Sequence, residues 1–191
     1  MFRLITPDVR LESVLELDVP RLRDLGLDAL LLDIDCTLKS YRAERLSPEV
    51  LGWLDRLRSA GVRLCLVSNG RGRRVRGLAE SLGLPLVAAA CKPLPFGCWR
   101  AIRQLGLDPR RTAMVGDQLF ADVMAGRLAG LTCVLVRPIR PEEEPWFTRL
   151  KRPLERMVLR EKGDRSNPVR HDYCSSRFGG KDAGRAAWRR G

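Results

Sequence analysis

Asp33 and Asp35 stand two residues apart where the apolar run Asp28-Ala-Leu-Leu-Leu-Asp33 gives way to Ile34, Cys36 and Thr37. On an extended chain that spacing turns both carboxylates to the same side. Further along, Ser68-Asn69-Gly70 follows Val62-Arg-Leu-Cys-Leu-Val67, and Lys92-Pro93 follows Leu86-Val-Ala-Ala-Ala90. Gly116-Asp117 follows Thr112-Ala-Met-Val115, with Asp122 five residues beyond Asp117. Carboxylates gathered with a hydroxyl, an amide and an ammonium suit phosphoryl transfer through a carboxylate nucleophile. One carboxylate attacks phosphorus and forms an acyl phosphate. The other protonates the leaving oxygen and later activates water. A hard cation with oxygen ligands, Mg²⁺ foremost, would bridge Asp33, Asp117 and the phosphate and offset the crowded negative charge, with Asp35 counted among its ligands. Lys92 would act on the same charge as a point cation. The Ser68 hydroxyl, Asn69 and nearby backbone amides would donate to phosphate oxygens, with Thr37 and Asp122 in support.

Taken singly, each of these elements has an ordinary explanation. Carboxylates at strand ends also cap turns, Ser-Asn-Gly is common turn chemistry, and an Asp in a first helical turn is favoured by the helix dipole. Gly116-Asp117 alone reads equally well as a strand-to-helix turn with a capping Asp. What carries the argument is order: four such elements, each directly after a predicted strand. In a parallel sheet, ligands bind beyond the carboxyl ends of the strands.

The elements that must position these residues follow from hydrophobic rhythm. Five short apolar runs, 28–33, 62–67, 86–90, 112–115 and 132–136, alternate with helix-period stripes. Pro48 suits a first helical turn, and Val50, Leu51, Leu54 and Leu57 share a face that ends at Gly61. Val75, Leu78, Ala79 and Leu82 form a second stripe ended by Gly83. A third, with Trp99, Ile102 and Leu105, closes at Gly106, and a fourth, with Met124, Ala125 and Leu128, closes at Gly130. Strands separated by single helices predict right-handed crossovers and a parallel sheet covered on both faces, a three-layer α/β/α fold of Rossmann type. Residues 11–26 are expected to form a leader helix, broken or capped near Pro20.

The chain has 191 residues and is 45% hydrophobic, enough for one α/β domain with a full core. No stretch approaches the ~20 consecutive apolar residues of a membrane span. The start, Met1-Phe-Arg-Leu-Ile-Thr-Pro-Asp, reaches charge and proline too early for a signal peptide, so a cytoplasmic protein is expected. Six cysteines without a Cys-x-x-Cys pair, and a single histidine (His171), offer no zinc spacing and no disulfide framework. The net charge of +12 favours anionic partners: nucleic acid, acidic lipid or phosphorylated substrate. A solvated basic surface explains it equally well. The basic segment Trp146–Arg160 reads either as a membrane-interface element, placing the protein peripherally at the inner membrane face, or as a terminal helix packed by Leu154, Met157 and Val158. The domain is expected to span residues 1–160, and the basic tail 161–191, without periodicity, to be disordered.

The ordered motifs Asp33-Ile-Asp-Cys-Thr-Leu38, Ser68-Asn69, Lys92-Pro93 and Gly116-Asp-Gln-Leu-Phe-Ala-Asp122 resemble those of the haloacid-dehalogenase-like phosphatases. From Phe2 to Arg160 the chain is similar to their subclass IIIA, YqeG family, itself similar to the mitochondrial phosphatidylglycerophosphate phosphatases. The resemblance implies Asp33 as nucleophile, Asp35 as general acid and base, Ser68 and Lys92 as phosphate ligands, Asp117 on Mg²⁺, and Asp122 as a water-mediated ligand or a support. Cys36 departs from the family pattern, which commonly has Asn or Asp there, and Pro153 interrupts the terminal segment. A catalytic thiol at Cys36 finds no histidine nearby to activate it. Enzymes of this fold often close over substrate with an inserted cap. Between Thr37 and Ser68 there is room only for a loop and one helix, and between Asn69 and Lys92 only for one helix and one strand. The expected site is therefore uncapped and open to a phosphate projecting from something large: a lipid headgroup, a nucleic-acid end or a phosphoprotein. The loop Lys39–Glu44 is the one candidate lid, with Tyr41 and Arg42 as contacts, and Arg71, Arg73, Arg74 and Arg76 could draw in a polyanion. A second reading is an RNA- or ribosome-associated binding module that keeps the fold, motivated by the net charge and the Arg-rich tail; intact carboxylates argue against a purely binding role.

Overall fold

The computed structural model describes residues 2–143. The expected helix at Trp146–Arg160, the tail 161–191 and the boundary between them lie outside the described residues. Six parallel strands form one sheet in the order β1-β6-β5-β2-β3-β4: β1 (Val9–Leu11), β2 (Ala29–Leu32), β3 (Arg63–Val67), β4 (Leu86–Val87), β5 (Thr112–Gly116) and β6 (Thr132–Val136). Five α-helices accompany them: α1 (Val19–Asp24), α2 (Pro48–Ser59), α3 (Arg73–Leu82), α4 (Phe96–Leu105) and α5 (Met124–Leu128).

Strand alternation sorts the core into layers. Leu30 and Leu32 of β2 join Leu64 and Leu66 of β3 on one face, under Leu22, Leu54, Leu57, Val75 and Leu78 from α1, α2 and α3. Ala29, Leu31, Cys65 and Met114 point to the other face, where Cys98 and Ala101 of α4 and Ala125 of α5 cover them. Every residue of β2 is buried, as the covered centre of a parallel sheet requires. The three-layer α/β/α architecture is that expected.

Local chemistry sets the helix limits. The Ser47 side chain accepts from the Val50 amide and Pro48 opens α2. Gly83 and Gly106 end α3 and α4 in the left-handed conformation, at φ of 60° and 57°.

Two expectations change. The segment 11–26 is not one leader helix. Val9–Leu11 forms the edge strand β1, in parallel register with Val134–Val136 of β6. A 3₁₀ turn (Val14–Glu16) capped by Ser13 and then α1 capped by Asp18 follow. Each capping side chain starts a new short element, which divides a stretch whose apolar residues alone suggested continuity. The Asp8 side chain secures the new strand by accepting from the Cys133 amide at 2.8 Å. The second change is that β2 stops at Leu32, before Asp33, and β4 stops at Val87 instead of continuing to Ala90.

The order of the strands positions the site. From β2 the chain builds outward through β3 and β4, then returns to the other side of β2 for β5 and β6. The reversal falls between β2 and β5, paired with Leu32 opposite Val115. A crevice opens at such a switch point in doubly wound sheets, and here the two strands deliver Asp33 and Asp117 to it side by side.

Candidate active site

Asp33 follows the last residue of β2, its amide donating to the Val115 carbonyl at 2.9 Å. Asp117 follows the last residue of β5. The Thr37 hydroxyl lies between them, 3.1 Å from Asp117 Oδ1 and 3.5 Å from Asp33 Oδ2. Asp122 arrives from a π-helical turn, Leu119–Val123, whose wider winding sets its carboxylate under the strand end. One of its oxygens accepts from the Gln118 amide at 3.0 Å. The carboxylates of Asp33, Asp117 and Asp122 are all buried, and one oxygen from each lies within 4.8 Å of the others.

Lys92 answers that concentration of charge. Its Nζ donates to Asp33 Oδ1 at 2.5 Å, to Asp122 Oδ1 at 2.7 Å and to the Val67 carbonyl at 3.0 Å, which engages all three N–H groups. Burial alone would lower its pKa, but the carboxylates of Asp122 and Asp33 outweigh burial and hold it above the ordinary lysine value. Burial pushes the Asp33 carboxyl up to about 7; Lys92 opposes the shift and Asp122 adds to it. Three carboxylates against one ammonium leave a net charge of −2 when all are ionised, the charge one divalent cation neutralises. The donor set is oxygen only, as hard cations such as Mg²⁺ prefer.

Ser68 and Asn69 follow β3. The Ser68 hydroxyl oxygen accepts from the Gly70 amide at 3.0 Å. Asn69 has a bracing role: its Nδ2 donates to the Lys92 carbonyl at 2.9 Å and its Oδ1 accepts from the Lys92 amide at 2.7 Å. The pairing locks the chain that carries the lysine.

Asp35 stands apart from the acidic cluster. The spacing reading put Asp33 and Asp35 on one extended strand and counted both as metal ligands. Beyond Leu32 the chain instead turns, with the Leu38 amide donating to the Ile34 carbonyl and Cys36 left-handed at φ 63°. Asp35 is thereby carried to the rim, where its Oδ1 accepts from Lys39 Nζ at 2.8 Å and Arg74 Nη2 at 2.6 Å. Arg74 also donates to the Tyr41 carbonyl at 2.6 Å and lies over the Tyr41 ring, 5.3 Å from its centroid. The third carboxylate of the cluster is Asp122.

All but two of the expected residues line one cavity of about 120 Å³: Asp33, Asp35, Ser68, Asn69, Lys92 and Asp122, together with Cys36, Tyr41 and Gln118. Thr37 and Asp117 are buried and are not part of that lining. Of the expected lid contacts, Tyr41 reaches the cavity. Arg42 is not among the residues that line it, and its backbone amide donates to Glu143 Oε2 at 3.2 Å. The buried Lys39 and the reach of Arg74 to Asp35 were not foreseen. Lys39 has one local signal, its place four residues after Asp35, whereas nothing local marks Arg74.

The family model for haloacid dehalogenase-like hydrolases matches residues 6–130. This chain belongs to that family. It is 28% identical over 157 residues to the probable phosphatase YqeG of Bacillus subtilis, covering 82% of this chain and 91% of that one. It is 29% identical over 164 residues to the chloroplastic phosphatidylglycerophosphate phosphatase 1 of Chlamydomonas reinhardtii, covering 80% of this chain and 58% of that protein. Among solved structures, the cobalt-bound deoxy-D-mannose-octulosonate 8-phosphate phosphatase of Haemophilus influenzae aligns with a TM-score of 0.49 and 16% identity, covering 73% of this chain and 91% of that one. Within the haloacid dehalogenase-like hydrolases the chain is a phosphatase.

Proposed function

We propose that this protein hydrolyses a phosphate monoester with Mg²⁺ through an aspartyl-phosphate intermediate, and that phosphatidylglycerophosphate is its substrate. The observation that carries the mechanism is the buried cluster of Asp33, Asp117 and Asp122, held by Lys92 at the sheet's switch point.

Asp33 is the nucleophile in this reading. Its oxygen forms a bond to phosphorus as the bond from phosphorus to the alcohol oxygen breaks. Asp35, at the rim and held by Lys39 and Arg74, gives its proton to the departing oxygen, so that the alcohol leaves neutral. It then accepts a proton from water as that water attacks phosphorus, releasing inorganic phosphate and restoring the Asp33 carboxylate. Asp33 and Asp117 would hold the cation, with Asp122 completing the acidic set. Bound there, Mg²⁺ would keep Asp33 ionised and offset the charge of the phosphoryl oxygens. Ser68, whose oxygen already accepts from Gly70, directs its own O–H to a phosphate oxygen.

The size of the cavity supports a large substrate. About 120 Å³ is far below the roughly 300–1,000 Å³ that encloses a whole small molecule, so the phosphoryl group enters and the rest of the substrate stays outside. The similarity to a phosphatidylglycerophosphate phosphatase favours a lipid as that remainder.

The first test is release of inorganic phosphate from a soluble aryl phosphate. Turnover is expected with Mg²⁺ and not with chelator, and Asp33→Asn should lower kcat by about 10³-fold or more. Activity that survives that substitution would refute the nucleophile. A panel of phosphatidylglycerophosphate, a nucleotide, a sugar phosphate and a phosphopeptide then tests the substrate. A sugar phosphate turned over faster than the lipid would overturn that part.

A further inference from the structure

Two residues after Lys92 the chain emerges from the site into Leu94, passes Pro95 and enters α4 with Phe96 and, one turn later, Trp99. These three side chains are 47%, 56% and 48% exposed. The two rings meet edge to face with centroids 5.9 Å apart. The backbone beneath them is tightly seated. Gly97, Cys98 and Ala101 form the buried face of α4, and a side chain at Gly97 would overlap Ala90. The aromatic pair is thus presented outward on a fixed platform, on the helix that starts four residues after Lys92 of the cavity lining.

Around the pair the charge is positive. Arg100 and Arg103 extend from the same helix. Arg100 also lines a groove of about 900 Å³ together with Arg71 and Arg76, where Glu80 is the one carboxylate among the lining residues. None of Arg71, Arg76, Arg100 and Arg103 forms an ion pair among the described residues. Half-exposed aromatic and aliphatic side chains on a helix that also carries Arg103 and Arg100, the latter donating to the Ala88 carbonyl but to no carboxylate, match a bilayer interface, where rings settle at headgroup depth and cations meet anionic lipid.

We infer that Leu94, Phe96 and Trp99, with the surrounding arginines, form the face by which this protein docks on an anionic lipid surface. Docked this way, the catalytic rim faces the headgroups, and a phosphate standing out from the membrane reaches the small cavity without the lipid leaving the bilayer. That use rests on the proposed lipid substrate, whereas the docking itself is measured independently of catalysis.

The test uses the full chain carrying Trp146→Phe and Trp188→Phe, which leaves Trp99 and the buried Trp53 as fluorophores. Trp99 emission is expected to shift to the blue, and to be quenched by brominated acyl chains, with phosphatidylcholine vesicles containing phosphatidylglycerol but not with phosphatidylcholine alone. In the otherwise native chain, Phe96→Ser combined with Trp99→Ser should lower the vesicle-bound fraction by about tenfold or more while hydrolysis of a soluble aryl phosphate is unchanged. Unaltered binding by the double variant would overturn the proposal and move membrane contact elsewhere in the chain. Equal binding to neutral vesicles, or none to either, would also overturn it. So would shielding of Trp99 from acrylamide in the free protein, because the chain would then cover the face itself. If aryl phosphate hydrolysis fails while vesicle binding holds, it is the catalytic reading that falls.

Discussion

At the scale of single residues, the decisive pair is Asp33 and Lys92, one held against its preferred charge state and the other held to it. Burial pushes the Asp33 carboxyl from its ordinary value near 3.8 up to about 7. Between those values the folded chain keeps a proton that the unfolded chain has lost. Stability contributed through Asp33 is therefore present at low pH and lost as pH rises through about 7. In chelator, the melting temperature is expected to fall between about pH 4 and about pH 7, by an amount worth a few kcal/mol at most, and Asp33→Asn should flatten that fall. An identical slope in the variant would show that Asp33 is not the group responsible. Asp33, Asp117 and Lys92 were legible in the sequence because each stands at or just past the end of an apolar run, and Asp35 and Asp122 because they lie two and five residues beyond Asp33 and Asp117. The partners of Asp35 were not, because Arg74 reaches it from α3, 39 residues along the chain, and Lys39 through a turn centred on the left-handed Cys36.

At the scale of elements, two glycines let chains approach closely, one at the site and one in the core behind it. A Cβ at Gly116, the last residue of β5, would overlap the Asp122 carboxyl. A Cβ at Gly126 in α5 would come within 2.8 Å of Cys133 Sγ and Met114 Cβ, inside the core behind the site. Overpacking of this kind costs about 1–3 kcal/mol, so both Gly116→Ala and Gly126→Ala should lower the melting temperature by several degrees. Their activities should differ. Gly116→Ala displaces the Lys92–Asp122 contact and is expected to lose about 100-fold or more in kcat, whereas folded Gly126→Ala should keep most of its turnover. Equal losses in the two would mean that destabilisation alone accounts for them. The helices α2 to α5 and five of the six strands were readable because Gly61, Gly83, Gly106 and Gly130 punctuate clear periodic stripes. The edge strand β1 was not. Three residues with Arg10 in the middle carry too short a pattern, and the pairing that makes them a strand comes from β6, 125 residues away. The π-helical turn at Leu119–Val123 was equally silent, since nothing in its composition separates it from the start of α5.

At the scale of the whole molecule, a chain of net charge +12 gathers three carboxylates around one lysine in its interior. Folding brings them together at the switch point between β2 and β5, where the excess negative charge is what a divalent cation would neutralise. Mg²⁺ should therefore stabilise the fold and not only the reaction. Ligand at about 100 times its dissociation constant adds roughly 2.7 kcal/mol to folding. In a domain of this size that is a rise of about 5–10 °C in melting temperature, reversed by chelator. The same measurement decides which carboxylates hold the ion. Spacing in the sequence placed Asp35 with Asp33 and Asp117. In the folded chain Asp35 answers Lys39 and Arg74, and Asp122 completes the cluster. Asp117→Asn should abolish the Mg²⁺-induced rise, while Asp35→Asn should retain it even with turnover lost. If Asp35→Asn instead removes the rise, the rim carboxylate reaches inward to the metal, and the division between a buried metal cluster and a separately held acid and base does not stand.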